Sequence, residues 1–484
     1  MSQKIVIDPV TRVEGHGKVT VHLDENNKVT DAKFHIVEFR GFERFIQGHP
    51  YWEAPVMVQR LCGICPVSHH LAAAKAIDQI VGVNPEDLSI PAQKIRKLLH
   101  FGQVFQSHAL HFFYLASPDL LFGANSDPLK RNIVGVAMAF PDLAKKGILM
   151  RKFGQEIIKL TAGKRIHGIA TTPGGVHKNI TDKERTYFTD GKEIPSVDTM
   201  IKWSIEIIDF IKQYHSDNKD FLDTFAAYPS GHLGLVKKDN GFLELYDGVL
   251  RATDFEGNIT LDDVHNDSYN EHFYESVEKW TYLKFPYLKH LGREKGWNRV
   301  GPLARLNVCE GIETPYAHKE WMDFMAATNG KTNNMTMYTH WARLIEILYS
   351  AEMMKDLLED DDLLSNDLIR KGERRKEGIG IIEAPRGTLI HHYEVDDKDR
   401  ITRCNLIVST THNNEPMNQA VRWVANNVLD GQAKISEGML NQVEVAIRAY
   451  DPCLSCATHA MGQMPLNMQL FDHYGNLIDE RIRE

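Results

Sequence analysis

The sequence predicts a helix-dominated α+β fold, with a long-helix bundle core and small β elements at both ends. Three observations predict it. Apolar residues alternate near the N-terminus, and three later stretches repeat apolar residues at helical spacing. No Pro/Ser-rich linker and no internal repeat divides the 484 residues, although a prior of roughly 150 residues per domain would allow about three domains.

Val19, Val21 and Leu23 alternate, DENNK (24–28) supplies a turn, and Val29, Phe34 and Ile36 continue on a return strand. Helical periodicity follows. Ile95, Leu98, Leu99 and Phe105 form one stripe, Ile201, Ile205 and Ile208 a second, and Leu344, Leu348 and Ala351 a third, all read as core packing. Between them, YDGVLRATDFEGNIT (246–260) carries DG and GN turn signals and reads as a small β insertion. Residues 359–378 are charged and aperiodic, an exposed loop.

Composition narrows the function. The chain is 43% hydrophobic and 25% charged, the balance of an ordinary globular protein. With 56 Lys and Arg against 65 Asp and Glu, the net charge of −9 argues against a nucleic-acid partner. No apolar run approaches the ~18 residues of a membrane span. The first ten residues, MSQKIVIDPV, lack the basic and apolar regions of a secretion signal, so the expected location is cytoplasmic.

The six cysteines are too few for a disulfide scaffold in a chain this long. Four form two C-x2-C pairs, Cys62/Cys65 in RLCGIC and Cys453/Cys456 in DPCLSC, with nearly the whole chain between them. A zinc ribbon separates its pairs by about 15–20 residues, so one metal site joining both ends of the chain is the better reading. Thiolates suit Zn, Cu(I), Fe–S or Ni chemistry. Pro66 opens an Ala-rich helix, which puts Cys65 at a helix N-terminus where the dipole favours the thiolate. A thioredoxin-type redox pair would need a βαβ context, which is not seen. There is also no G-x-G-x-x-G and no P-loop, and Cys309 and Cys404 cannot hold an Fe–S cluster by themselves. Electrons from a redox site here must leave through another polypeptide.

RLCGIC and DPCLSCATH, with DPVTRVEGH at 8–16 and EAPRG at 383–387, resemble the large subunit of [NiFe]-hydrogenases, in that family's order. The resemblance continues through FRGFERFIQGHPYWEAP (39–55), PGGV (173–176), KFPYLK (284–289), GKTNNMT (330–336) and AIRAYDPCLSCATHAMGQMPL (446–466). It covers essentially the whole chain and is most like the cytoplasmic, NAD-linked bidirectional subgroup.

The resemblance implies a Ni–Fe centre with Cys62 and Cys453 terminal on Ni, and Cys65 and Cys456 bridging to an Fe that carries carbon monoxide and cyanide. Such a site carries about −2 net and needs buried partners. By the same resemblance Arg386 overhangs the metals and polarises H2, Glu14 takes the proton from Cys453, and Asp451 is a carboxylate near Arg386. Thr410 matches a hydroxyl donor to cyanide, and Pro385 a second cofactor-binding position. Glu43, His459 and the backbone carbonyl of Leu406 match the ligands of a second metal, Mg2+. Residue-level alternatives are a helix cap for Asp451, a strand hydroxyl for Thr410 and a surface turn for Arg386.

Two departures from the pattern stand out. Ser107 occupies a position where many relatives place an Asp that helps fix the overhanging Arg, and Ser409 stands where many have Pro. His69, His70, His391 and His392 are read as exposed or satisfied histidines without special roles. The resemblance further implies a single domain over 1–459 and a C-terminal extension, 460–484, cut off after His459 by a maturation endopeptidase. Implied partners are flavin- and NAD-binding diaphorase subunits and an Fe–S small subunit. The alternatives are an electron-bifurcating hydrogenase that also uses ferredoxin, a respiratory-complex homologue, or a structural zinc protein.

Overall fold

The computed structural model describes residues 3–458, 466–471 and 477–483. Three antiparallel strands open the chain: β1 (Gln3–Ile7), β2 (Gly17–Leu23) and β3 (Val29–Ile36). Val19 pairs with Phe34 and Val21 with Ala32, so the alternating apolar residues share one buried face. The turn is closed by Asp24, whose Oδ1 accepts the N–H groups of Asn26 and Lys28 at 2.8 Å each.

Helices α1 (Pro66–Ile80), α2 (Ile90–Leu110), α3 (Pro141–Ala162) and α4 (Val197–Asp217) follow. Next comes a sheet of β4 (Gly231–Val236), β5 (Val249–Thr253) and β6 (Ile259–Val264), with the short strand Asn298–Arg299 parallel to β4 at its edge. The β insertion is therefore larger than 246–260 suggested. Its hairpin turn is the GN segment, where Asp254 Oδ1 accepts from Glu256 and Asn258 at 2.9 Å, while the DG step merely leads into β5.

The bundle closes with α5 (Thr339–Glu359), which packs on α2 and α4, while α2 packs on α3. The predicted stripes are buried in these contacts, with Ile205 half-buried at a margin. Helix α5 is enclosed almost all round and keeps Arg343 and Glu346 inside.

A further sheet, β7 (Glu377–Ala384), β8 (Gly387–Val395) and β9 (Ile401–Ile407), was not expected. Strands β7 and β8 are buried on both faces, so their sequence shows no alternation to read. The aperiodic segment before it opens with a short helical turn, Asp361–Leu364, then runs mostly exposed until Glu377 starts β7. Helix α6 (Glu437–Ala449) leads to the C-terminal motif. Two further strands, β10 (Leu466–Phe471) and β11 (Leu477–Arg483), pair with each other. Among the described residues no helix is long and apolar enough to cross a membrane.

The packing of α1 on β7 positions the site. A Cβ on Gly378 would lie 1.9 Å from the Ala76 carbonyl oxygen, and one on Gly380 2.0 Å from that of Ala72. Only glycine against alanine allows this approach. Four helical residues advance about 6 Å and two strand residues about 6.6 Å, so helix and strand run antiparallel in step. Continued two steps further, past Ser68 and Ile382, the register brings the Cys65 end of α1 to Ala384 and the turn that carries Arg386.

Candidate metal centre

Cys62 ends a short helical turn, Val58–Leu61, and Cys65 is the residue before α1. Cys453 and Cys456 flank and enter a single turn, Leu454–Ala457. The four sulfurs converge, each within 4.8 Å of every other, and all four residues are buried. Cys62 and Cys453 are 3.3 Å apart at Sγ, and Cys65 and Cys456 3.4 Å. Their protons are shared unequally. Hydrogen bonding by Cys453, Cys456 and Cys65 lowers Cys62 well below the usual thiol range, assisted by Arg386, whereas burial raises Cys453 and Cys456. Cys309 and Cys404 lie outside the cluster, buried thiols that burial keeps protonated, Cys309 at about 12.

Arg386 stands in the two-residue turn between β7 and β8, whose closing pair is Ala384 and Gly387. It is buried, not a surface residue. Its Nε donates to the Asp451 carbonyl (2.5 Å) and its Nη2 to Asp451 Oδ1 (3.0 Å). Burial opposes its charge, but Asp451 and the cysteine sulfurs raise its pKa well above the ordinary value. Asp451 has a left-handed backbone, φ 51°, and caps no helix; its carboxyl is raised by burial and held back by Arg386 and Arg343.

The turn itself is fixed from behind by Arg305. This fully buried guanidinium donates to the carbonyls of Ala384 (2.9 Å) and Pro385 (3.2 Å), to Glu383 (2.8 Å) and in a fork to Glu346 (2.5 and 2.6 Å). His108 Nε2 completes the cluster, 2.7 Å from Glu346. Burial opposes the Glu346 charge, but Arg305 prevails and holds the carboxyl at about 2. Sequence reasoning missed Arg305, Glu346 and His108, because charges inside a helix break the apolar stripe that marks a core.

Glu14 reaches the cluster through a bridge to Cys453. Its carbonyl accepts from Leu454 N–H (3.0 Å), and its Oε2 accepts from Ser455 N–H (3.0 Å) and lies 3.1 Å from Cys453 Sγ. Gly15 permits this contact: at φ +82°, an added Cβ would stand 2.8 Å from Ser455 N. The rest of DPVTRVEGH acts as a clamp. Arg448 donates to the Thr11 carbonyl and hydroxyl, to Glu444 and to Asp119, and Asp119 also accepts from Arg12. These bonds tie the N-terminal motif to α6, which leads directly into the second cysteine pair.

Thr410 sits in a helical turn, Ser409–His412, rather than a strand. Its Oγ1 accepts from Cys453 N–H at 2.9 Å, which leaves its own proton free to donate. Ser409 spends its hydroxyl on the Gly387 carbonyl (2.6 Å). Pro385, Arg386 and Thr410 line one small cavity with Cys65, Cys453 and Cys456. Glu43 accepts the Leu406 backbone N–H at 2.7 Å, so these two expected neighbours do meet, and burial raises the Glu43 carboxyl. His459 lies outside the described residues. The four histidines expected to be exposed or satisfied are all buried and hydrogen-bonded: His69 with His391, His391 with Tyr393, His70 with Pro55 and Thr171, and His392 with Tyr269 and Glu377.

The donor set fits a buried thiolate-ligated metal centre. Four sulfurs stand at coordinating distances, and binding would displace their remaining protons. Arg386 Nη1 is buried without a hydrogen-bond partner among the described residues, and it and the free Thr410 proton border the same cavity. A family model described as nickel-dependent hydrogenase matches residues 40–124 and 248–459, and one described as HoxL-like matches 4–39. The chain belongs to the nickel-dependent hydrogenase family. It is 51% identical over 490 residues to the NAD-reducing hydrogenase HoxS subunit beta of Cupriavidus necator, covering 100% of each chain. It is also 39% identical over 481 residues to a chain of the F420-non-reducing hydrogenase of Methanothermobacter marburgensis, covering 98% and 99%. A crystal structure of NAD+-reducing [NiFe]-hydrogenase in the H2-reduced state superposes with a TM-score of 0.91 at 51% identity, covering 94% of this chain and 99% of that one.

Proposed function

We propose that this chain is the catalytic subunit of a cytoplasmic [NiFe]-hydrogenase that reversibly splits H2 and passes electrons, through an Fe–S small subunit, then flavin-bearing subunits, to NAD. The observation that carries the reading is the convergence of both C-x2-C pairs beneath Arg386. Likeness to the Cupriavidus necator NAD-reducing enzyme supports the acceptor, since this chain has no nucleotide motif of its own.

Cys62, Cys65, Cys453 and Cys456 would hold Ni and Fe; when bound, the pair supplies Lewis acidity and a two-electron store for H2 cleavage. Around it, each residue has its own task. Cys65, Cys453 and Cys456 line the cavity, and Cys65 and Cys456 would be the sulfurs that both metals share. Thr410 O–H and Arg386 Nη1 would donate to cyanide on an Fe that also holds carbon monoxide, and Pro385 walls the pocket. Arg386, held by Asp451, presents positive charge where H2 is polarised. Cys453 takes the proton at Sγ and hands it to Glu14 Oε2, which is half-buried and therefore reaches toward the surface. Glu43, the Leu406 carbonyl and His459 would hold Mg2+; the Glu43–Leu406 contact supports this.

The single domain would end at His459, with 460–484 removed by a maturation endopeptidase. Strands β10 and β11 pair only with each other among the described strands, and the solved relative covers 94% of this chain whereas the curated one covers all of it. Intact mass of the active enzyme tests removal: a chain at the full 55.2 kDa would refute it. Hydrogen uptake with an artificial dye tests the function. Cys65→Ser abolishes it under this reading, and full activity in that variant would contradict it.

A further inference from the structure

We propose that Arg343 is a positioning residue for the hydrogen-splitting site: from α5 it fixes Asp451, and through Asp451 the overhanging Arg386. The inference rests on the hydrogenase reading and adds to it a residue that contacts no sulfur.

Arg343 is fully buried, yet it has no carboxylate within ion-pair distance among the described residues. Its single hydrogen bond runs from Nη2 to the Ala449 carbonyl (3.1 Å), two residues before Asp451. Among the described residues Nε and Nη1 have no hydrogen-bond partner, and neither does Asp451 Oδ2. A buried guanidinium without a countercharge is costly, so it must find one nearby.

Two anions bear on Arg343, Asp451 first and Glu346 second. Glu346, one turn further along α5, is taken by the fork of Arg305 and by His108. His340, one turn back, stacks on His111 at 5.7 Å and 13°; burial first, then Arg343 itself, keeps both imidazoles neutral. The strongest favourable interaction left to Arg343 is with Asp451, while Arg386 and Arg305 oppose it. Burial brings Arg343 down to about 10, still protonated at neutral pH.

Asp451 is thus shared. Its Oδ1 and carbonyl take Arg386, its Oδ2 has no hydrogen bond among the described residues, and Arg343 acts on it from beyond ion-pair distance while holding the Ala449 carbonyl two residues before it. The facing helix offers no substitute. Ser107 stands where the resemblance expects a carboxylate, and its Oγ is buried without a partner. With a hydroxyl at 107, the second guanidinium does from α5 what a second carboxylate would do from α2: it prevents Asp451, and hence Arg386, from turning away from the sulfurs.

The test uses the assembled enzyme with Arg343→Met, Arg343→Lys, Asp451→Asn and the double variant Arg343→Met/Asp451→Asn. Nickel per chain, the infrared bands of the diatomic iron ligands, and kcat and KM for H2 are measured for each. Arg343→Met is expected to keep its nickel and its KM while kcat falls ~10-fold or more. Its infrared bands move to lower wavenumber as Arg386 is held less firmly over the pocket. Arg343→Lys restores part of kcat, as a point charge without the planar fork. In the Asp451→Asn background, Arg343→Met costs no more than about a further twofold, because Arg343 acts on Arg386 by way of Asp451. The proposal is overturned if Arg343→Met retains kcat with unmoved bands, if its effect is additive with Asp451→Asn, or if both Arg343 variants lose nickel in step with activity. A parent enzyme that takes up no H2 would instead overturn the functional reading.

Discussion

Cys453 Sγ lies 3.1 Å from Glu14 Oε2, although 439 residues separate them in the chain. The contact is held by a backbone bridge, by Ser455 N–H on the same carboxylate oxygen, and by the Arg448 clamp behind it. A carboxylate fixed this firmly against a sulfur is placed to exchange a proton with it. Glu14→Gln keeps an acceptor for Ser455 but removes the proton carrier. Dye-linked H2 oxidation should fall by ~100-fold or more, with nickel per chain unchanged. Activity within a factor of a few of the parent would show that protons leave by another route.

Gly380 gives a prediction about assembly of the site. A methyl there would meet the Ala72 carbonyl oxygen at 2.0 Å, so α1 must retreat from β7 and carry Cys65 away from Arg386. Gly380→Ala should lower stability by about 1–3 kcal/mol and reduce bound nickel. The check is a thermal melt alongside metal analysis; an unchanged melt would mean that the helix has room to shift.

Much of this was legible in sequence, and the reasons differ by residue. The four cysteines could be joined because two pairs at opposite ends make one four-ligand set. β2 and β3 could be read because one face is buried and the other is not. The sheet that carries Arg386 could not, since β7 and β8 are buried on both faces and lose their period. The glycines of EGIGIIEAPRG against the alanines of α1 were the available signal: alternate glycines opposite small helical residues mark close approach. Arg305, Arg343 and Glu346 were invisible because charged residues are ordinarily assigned to surfaces, and only the fold shows them inside.

Arg305 is tested by removing it. Glu346 and Glu383, both fully buried, would lose their cation, and the Pro385 turn would lose two donors. Arg305→Met should destabilise by about 3–5 kcal/mol, and adding Glu346→Gln and Glu383→Gln should recover part of that loss. Thermal midpoints of the three forms decide it. A neutral Arg305→Met would show that the cluster contributes nothing to stability.

Buried histidines set the pH dependence of stability. Burial, the largest cause in each case, lowers His70, His108 and His215 to about 4 and His100, His232 and His412 to about 3. The unfolded chain takes up these protons as pH falls through about 6.5, whereas the folded chain resists until about 4 or 3. Stability is therefore full above that upper value and drains away as the pH falls toward the lower ones. Melting curves from about pH 7.5 to about pH 5 should show the midpoint falling with acidity. A flat profile would mean that these side chains are solvated.

Metal content tests the whole account most directly. Nickel should be present at one atom per chain in the purified, assembled enzyme, and should be lost when Cys65 or Cys456 is replaced by serine. Stoichiometric zinc without nickel, or nickel that survives both replacements, would contradict it.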